Sequence, residues 1–354
     1  MTPGAVDPAA TALPTGTSAF VGSSLRIGTR ASDLALTQSG QVGAALVAGT
    51  EHTVELVHVS TRGDRDRTSP LAQIGGTGVF VTAVRQALLD GAVDVVVHSC
   101  KDLPTAPLEE ITLACYPPRE DPRDALCARD GLTLAELPTG SRVGTGSPRR
   151  AAQLLRARPD LEVLGIRGNV ETRLARALGP DADLDAVVLA ASGLRRVGRE
   201  AAISELLPAE VMLPAPAQGA LAVEATSAAL ADRPWFAERL AAVDDPATRA
   251  AVAAERALLR TLEAGCSAPV AAYAEFEADG SGDEEAGGAG VLRLRGLAIR
   301  PDGSHVVEGE ARVVLDLVAD ALSGDGSVPV ELGSELAADL LERGAGEILA
   351  QARA

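Results

Sequence analysis

The residues best suited to chemistry stand in Val95-Val96-Val97-His98-Ser99-Cys100-Lys101-Asp102-Leu103-Pro104, where an apolar, β-branched run ends in a polar tip. Such a run reads as a buried strand whose carboxyl end presents side chains to a cleft. Lys101 is the single lysine among the 32 basic residues of the chain. A lysine kept beside an aspartate at a strand tip, in a chain so biased towards arginine, invites a functional reading over a solvated surface pair. A second set begins at Gly146-Ser147-Pro148-Arg149-Arg150. Ser at the N-cap and Pro at the first helical position are strong helix-start signals. They place Arg149 and Arg150 in the first turn, where the helix dipole disfavours cations. Two arginines in that position suggest an anion between them. Strand, small-residue turn and arginine recur at Arg30, at Arg167 and Arg173, and at Arg195 and Arg196. Arginine suits bidentate carboxylate recognition, so the pattern predicts a cleft for a ligand with several carboxylates or phosphates. The third feature is Cys266, in Ala264-Gly265-Cys266-Ser267, just past a helix stop and therefore in an accessible turn. Cys100, Cys115 and Cys127 lie in or beside apolar strands and read as inert.

The elements that must position these residues alternate. Residues 25–29 read as a strand, followed by a helix over 33–47 with Ser32 as its N-cap. A strand over 54–59, a polar lid or flap to residue 78, a helix over 79–89 and the strand over 93–98 follow. This β-α-β-α-β order implies parallel pairing and a doubly wound sheet. A strand over 111–115 leads to the proline-rich crossing 117–124, and strands over 126–128, 142–145, 161–166 and 186–190 form a second α/β set. Leu213-Pro214-Ala215-Pro216-Ala217-Gln218-Gly219 is a second crossing, back to a strand over 220–224. A helix over 247–263, stopped by Gly265, opens a small α+β part. That part has strands from 270, over 292–299 and over 306–314, and a helix around 331–350. Residues 278–290 read as an acidic, Gly-rich surface insertion. The expected fold is α/β, with two doubly wound lobes and a small C-terminal α+β domain. The expected boundaries are a disordered tail over 1–22, domain 1 over 23–117 and 219–240, domain 2 over 118–218, and domain 3 over 241–354.

Composition narrows the function. With 354 residues the chain has room for two or three domains. Hydrophobic content is 46% but aromatic content only 2%, so the cores must be aliphatic. A net charge of −17 argues against a nucleic-acid partner. The four cysteines show no CxxC or CxxH spacing, which argues against zinc and against a disulfide scaffold. Reduced thiols make the cytosol the expected location. No apolar run reaches membrane-spanning length, and residues 1–22 lack both the basic start and the apolar core of a secretory signal.

Taken in order, Ile27-Gly28-Thr29-Arg30-Ala31-Ser32, Thr61-Arg62-Gly63-Asp64, Val97 to Pro104, Gly144-Thr145-Gly146-Ser147-Pro148-Arg149-Arg150, Arg167-Gly168-Asn169-Val170, Pro216-Ala217-Gln218-Gly219 and Ala264 to Pro269 resemble the hydroxymethylbilane synthase (porphobilinogen deaminase) family. Each motif is weak alone, and their conjunction is specific. The resemblance runs from Leu25 to the C-terminus. It implies three domains, the first two related to two-lobed periplasmic binding proteins, and a monomeric enzyme. It implies a dipyrromethane cofactor held by a thioether to Cys266, onto which four porphobilinogens are joined head to tail with loss of ammonia. Water then frees hydroxymethylbilane. Each pyrrole carries an acetate and a propionate, which accounts for the arginine cleft. By the same resemblance Asp102 is catalytic. Lys101, Ser99, Ser147, Arg149, Arg150, Arg173 and Gln218 hold the cofactor, and Arg30, Ser32, Arg167 and Arg196 hold substrate. No metal is implied. Gln73 and Thr77 stand where the family often has lysines, and Cys100 where methionine is common. The competing reading is a non-enzymatic two-lobed protein that binds a polycarboxylate.

Overall fold

The computed structural model describes residues 24–59, 78–265, 268–278, 288–320 and 326–353. Three sheets organise them. The first has strand order β2-β1-β3-β10-β4, built from β1 (Ser24–Thr29), β2 (Thr53–His58), β3 (Val95–Ser99), β4 (Ile111–Cys115) and β10 (Leu221–Thr226). The second has order β7-β6-β8-β5-β9, from β5 (Asp124–Ala128), β6 (Arg142–Thr145), β7 (Glu162–Gly165), β8 (Ala186–Ala190) and β9 (Glu205–Leu206). The two orders are the same scheme. Three parallel strands pair first, as β-α-β alternation requires. Next comes a strand that arrives from the other lobe and so runs antiparallel to both neighbours: β10 beside β3 and β4, and β5 beside β8 and β9. The sheets are therefore mixed where alternation alone predicted parallel pairing. The exceptions are the two strands that follow the proline-rich crossings.

The helices that return each parallel strand are α1 (Asp33–Val47), α2 (Gly78–Leu89), α3 (Pro148–Ala157), α4 (Val170–Leu178) and α5 (Ala191–Arg196). Ser32, Ser147 and Asn169 each accept a backbone N–H of the following turn, at Ala35, Arg150 and Thr172. They satisfy donors that a helix start leaves orphaned, each worth roughly 1 kcal/mol. Two short helices, α6 (Ser227–Asp232) and α7 (Pro234–Val243), follow β10.

The third part sets α8 (Pro246–Thr261), α9 (Val328–Glu342) and α10 (Ala345–Arg353) against an antiparallel sheet. Its strands are β11 (Val270–Ala278), β12 (Ala289–Ile299) and β13 (Val306–Asp316). Leu258, Leu292, Leu294, Leu336, Leu340 and Ile348 share its core. Gly333 lets α9 press onto α8, since a Cβ there would sit 2.1 Å from the Ala254 carbonyl. The single helix expected around 331–350 is two, broken at Gly344 with φ of 102°. Helix α8 also ends differently from expectation. Glu263 takes the left-handed position at φ 49°, and Ala264 N–H returns to the Leu259 carbonyl, closing the helix before Gly265 is reached.

Candidate active site

In the first lobe the carboxyl ends of the parallel strands β1 and β3 meet at one edge. Arg30 and Ser32 follow β1, and Ser32 caps α1. Ser99 ends β3 and shares hydrogen bonds with the amide of buried Gln38 on α1, at 2.8 and 3.1 Å. A single 3-10 turn, Cys100–Asp102, follows immediately. Cys100 and Leu103 point into the core with Tyr116, Ala220 and Val252, so Asp102 is left at the exposed crest of the turn. Burial pushes the Cys100 thiol up to about 11, and Cys115 and Cys127 to about 12. These three thiols are poor nucleophiles near neutral pH.

The second lobe delivers its arginines from the same end of its own sheet. Arg149 and Arg150 lie in the first turn of α3, Arg167 follows β7, Arg173 lies on α4, and Arg195 and Arg196 lie on α5. Arg149 and Arg150 are almost fully buried, and the anion between them is the protein's own Asp124. Arg149 reaches one carboxylate oxygen at 2.8 Å and Arg150 the other at 2.7 Å. Burial alone would raise the Asp124 carboxyl, but the two guanidinium groups hold it well below the usual carboxylate range. Asp124 opens β5, and its role was missed in the sequence. The available signal was a carboxylate heading the apolar run Ala125-Leu126-Cys127-Ala128. Of the neighbouring pair on α5, Arg195 is committed to Glu120, Asp121 and Glu200. Arg196 donates to the Gly219 carbonyl at 2.7 Å.

Gln218 ties the two lobes together. It sits in the second crossing and is fully buried. Its amide N–H groups donate to the Pro122 carbonyl at 2.7 Å and to Asp124 at 2.9 Å. Its amide oxygen accepts from Lys101 at 3.2 Å and from Arg150 at 3.3 Å. The turn that carries it is conformationally demanding. Ala217 has φ of 61° and Gly219 φ of 90°, and a Cβ on Gly219 would lie 2.2 Å from the Glu120 carbonyl. Lys101, Asp102, Arg149, Arg150, Arg173, Asp124 and Gln218 thus form one electrostatic cluster. Burial, together with the charges of Arg150 and Arg149, pushes the Lys101 ammonium down to about 8. Burial and Arg150 likewise lower Arg173, and Asp102 opposes them.

In this cluster four cations face two carboxylates, one of them locked between Arg149 and Arg150. A dry group of like charges is relieved by an arriving anion. The donor set therefore fits a group with several carboxylates, such as a dipyrromethane. Ser147 caps α3, next to Gly146, where an added Cβ would lie 3.9 Å from the Arg173 guanidinium. Arg30, Ser32, Ser99, Arg167 and Arg196 are placed at the carboxyl edges of the two sheets. Cys266 and the flap positions Gln73 and Thr77 lie outside the described residues. Besides Asp124, sequence reasoning missed Gln38 and a buried set on the first sheet. There Glu224 of β10 accepts both Arg85 of α2, at 2.5 Å, and His98 of β3, at 3.1 Å.

A family model described as porphobilinogen deaminase, dipyromethane cofactor binding domain, matches residues 25–231. A second, the porphobilinogen deaminase C-terminal domain, matches residues 249–342. Among curated relatives, a porphobilinogen deaminase of Thermobifida fusca is 50% identical over 329 residues, which are 93% of this chain and 97% of its own length. Porphobilinogen deaminase 1 of Streptomyces coelicolor is 50% identical over 337 residues, covering 92% and 98%. A porphobilinogen deaminase of Nocardia farcinica is 51% identical over 340 residues, covering 95% and 91%.

Proposed function

Since this chain belongs to the porphobilinogen deaminase family, we propose that its hydroxymethylbilane synthase activity runs on Asp102 as the catalytic carboxylate and on Cys266 as the covalent anchor of its dipyrromethane. The observation that carries the reading is the cluster itself: an exposed carboxylate on a rigid turn, grouped with Lys101, Arg149, Arg150 and Arg173 at the junction of two lobes. When bound, the dipyrromethane supplies the pyrrole end onto which porphobilinogen units are added. Lys101, Arg149, Arg150, Arg173, Ser99, Ser147 and Gln218 hold its acetates and propionates. Arg30, Ser32, Arg167 and Arg196 take those of the incoming porphobilinogen.

Loss of ammonia from porphobilinogen leaves a cationic azafulvene. The Asp102 carboxylate stabilises its positive pyrrole nitrogen and carries protons between the ring and water. Preorganised charge and positioned proton transfer are each worth roughly 10²-fold or more in rate. The rigid backbone of the turn keeps the carboxylate aimed while the chain of pyrroles lengthens. We take the enzyme to be a monomer of the cytoplasm with no nucleic-acid partner. Its net charge of −17 supports the absence of a nucleic-acid partner, and its free, buried Cys100, Cys115 and Cys127 support the reducing compartment.

Intact mass tests the proposal. The purified protein should exceed its polypeptide mass by two linked pyrrole units, and Cys266→Ser should carry none. Asp102→Asn should keep the added mass and lose turnover. A bare polypeptide mass in the parent, even after incubation with porphobilinogen, would favour the binding-protein reading.

A further inference from the structure

Asp102 is exposed at the crest of its turn, with the charges of Lys101 and Arg173 close enough to act on it. Where that side chain starts from is set by the backbone of its own turn. That turn is closed on one side by Leu103 N–H on the Cys100 carbonyl, at 3.0 Å, and by Cys100 N–H on the Ala220 carbonyl, at 3.0 Å. Beyond it the chain reads Leu103-Pro104-Thr105-Ala106-Pro107-Leu108, in which two prolines have no N–H to give. The tie on this side comes from α8, in the third part of the molecule. Arg256 spreads its guanidinium over two consecutive carbonyls, Leu103 at 3.2 Å and Pro104 at 2.7 Å. About one helical turn earlier on α8, Val252 packs under the same turn with Cys100 and Leu103.

On the assignment of Asp102 as the catalytic carboxylate, we propose that Arg256 is a positioning residue for the reaction: its two-carbonyl grip fixes the backbone just after Asp102 and so aims the carboxylate. In this role Arg256 acts through the turn, because its guanidinium is committed to the Leu103 and Pro104 carbonyls. A planar fork suits adjacent carbonyls, whereas a lysine would reach them as a single point charge.

The test compares Arg256→Ala and Arg256→Lys with the parent, well below each melting temperature. Arg256→Ala should keep the covalent cofactor mass and hold KM for porphobilinogen within about twofold. Its kcat should fall by roughly 10- to 100-fold, the scale expected for displacement of a reacting group by about an ångström. Arg256→Lys should regain part of that loss. Hydrogen exchange supplies a readout independent of turnover: protection of the Leu103 amide should drop at least about tenfold in Arg256→Ala. A kcat within about twofold of the parent, a fall in kcat that merely tracks lost cofactor, or unchanged Leu103 protection would each overturn the proposal. If the exchange result holds but the parent forms no hydroxymethylbilane, the synthase reading fails while the grip on the turn stands.

Discussion

At the scale of single residues, Lys101 gives the site a pH dependence of definite sign. Its ammonium is pushed down to about 8, while in the unfolded chain it titrates near the ordinary lysine value of about 10.4. Between those values the folded protein is neutral there and the unfolded chain is charged, so this group by itself makes stability rise with pH across that window. Binding runs the other way, because carboxylates prefer the ammonium. In the Cys266→Ser protein the cofactor's own subsites stand open to porphobilinogen, and the affinity there, followed calorimetrically, should weaken as pH rises through about 8. Lys101→Met should bind more weakly throughout and lose that inflection; an unchanged profile in the variant would remove Lys101 from the anion site. The residues around Lys101 were unequally legible. Lys101, Asp102 and the arginines announce themselves by type, by strand ends and by helix starts. Asp124 does not, because a counter-ion for two arginines far along the chain on α3 is a fact of the sheet order, which sets β5 beside β8.

At the scale of elements, α8 does more than its sequence suggests. The sequence reads it as a helix over 247–263, and the structure adds Asp245 as its N-cap. Its polar residues reach across to both other parts. Glu255, fully buried, accepts Arg119 at 2.6 and 3.1 Å, Ala217 N–H at 2.5 Å and Ala274 N–H at 2.7 Å. It thereby joins both crossings to the third sheet and supports the turn that carries Gln218. Glu255→Ala leaves Arg119, itself nearly buried, without its counter-charge. Breaking such a pair from one side costs about 3–5 kcal/mol. The denaturant midpoint should fall accordingly with the slope unchanged, and a loss under about 1 kcal/mol would mean that water replaces the carboxylate. The elements themselves were largely legible, since alternating apolar runs and capped helices follow from local spacing. What local spacing does not hold is which strand changes lobe: β5 and β10 run antiparallel because of where the chain has come from. Helices α6 and α7 went unread for a related reason. They are short, and what settles them is packing on the first sheet and, for α7, on α1, as in Arg239 donating to the Leu46 carbonyl at the end of α1.

At the scale of the whole molecule, an excess of acid is held in check by buried pairing. Burial would raise Glu224, yet His98 and Arg85 hold it down at about 2, and Asp94 and Asp124 are likewise lowered against burial by their arginines. Carboxyls depressed in this way stabilise the fold fully above their unfolded values, near 3.9–4.3, and lose that contribution as pH falls towards the folded values. Stability to denaturant should be flat from about pH 5 to 7 with respect to these groups. It should then drop steeply between about pH 4.3 and 2, Glu224 alone accounting for on the order of 3 kcal/mol. Glu224→Gln should shallow that drop, and an identical acid limb in the variant would place the sensitivity elsewhere. The junction of the lobes has one more consequence. The chain owns a single ε-amine, and burial beside Arg150 and Arg149 lowers it well below an ordinary lysine, so a far larger share of it is unprotonated near pH 8. In the Cys266→Ser protein, whose junction holds no cofactor, an amine-selective acylating reagent should therefore mark Lys101 as the one side-chain amine. Carboxylates seated at the junction would reprotonate and shield that amine, so label stoichiometry counts the molecules whose cleft is empty.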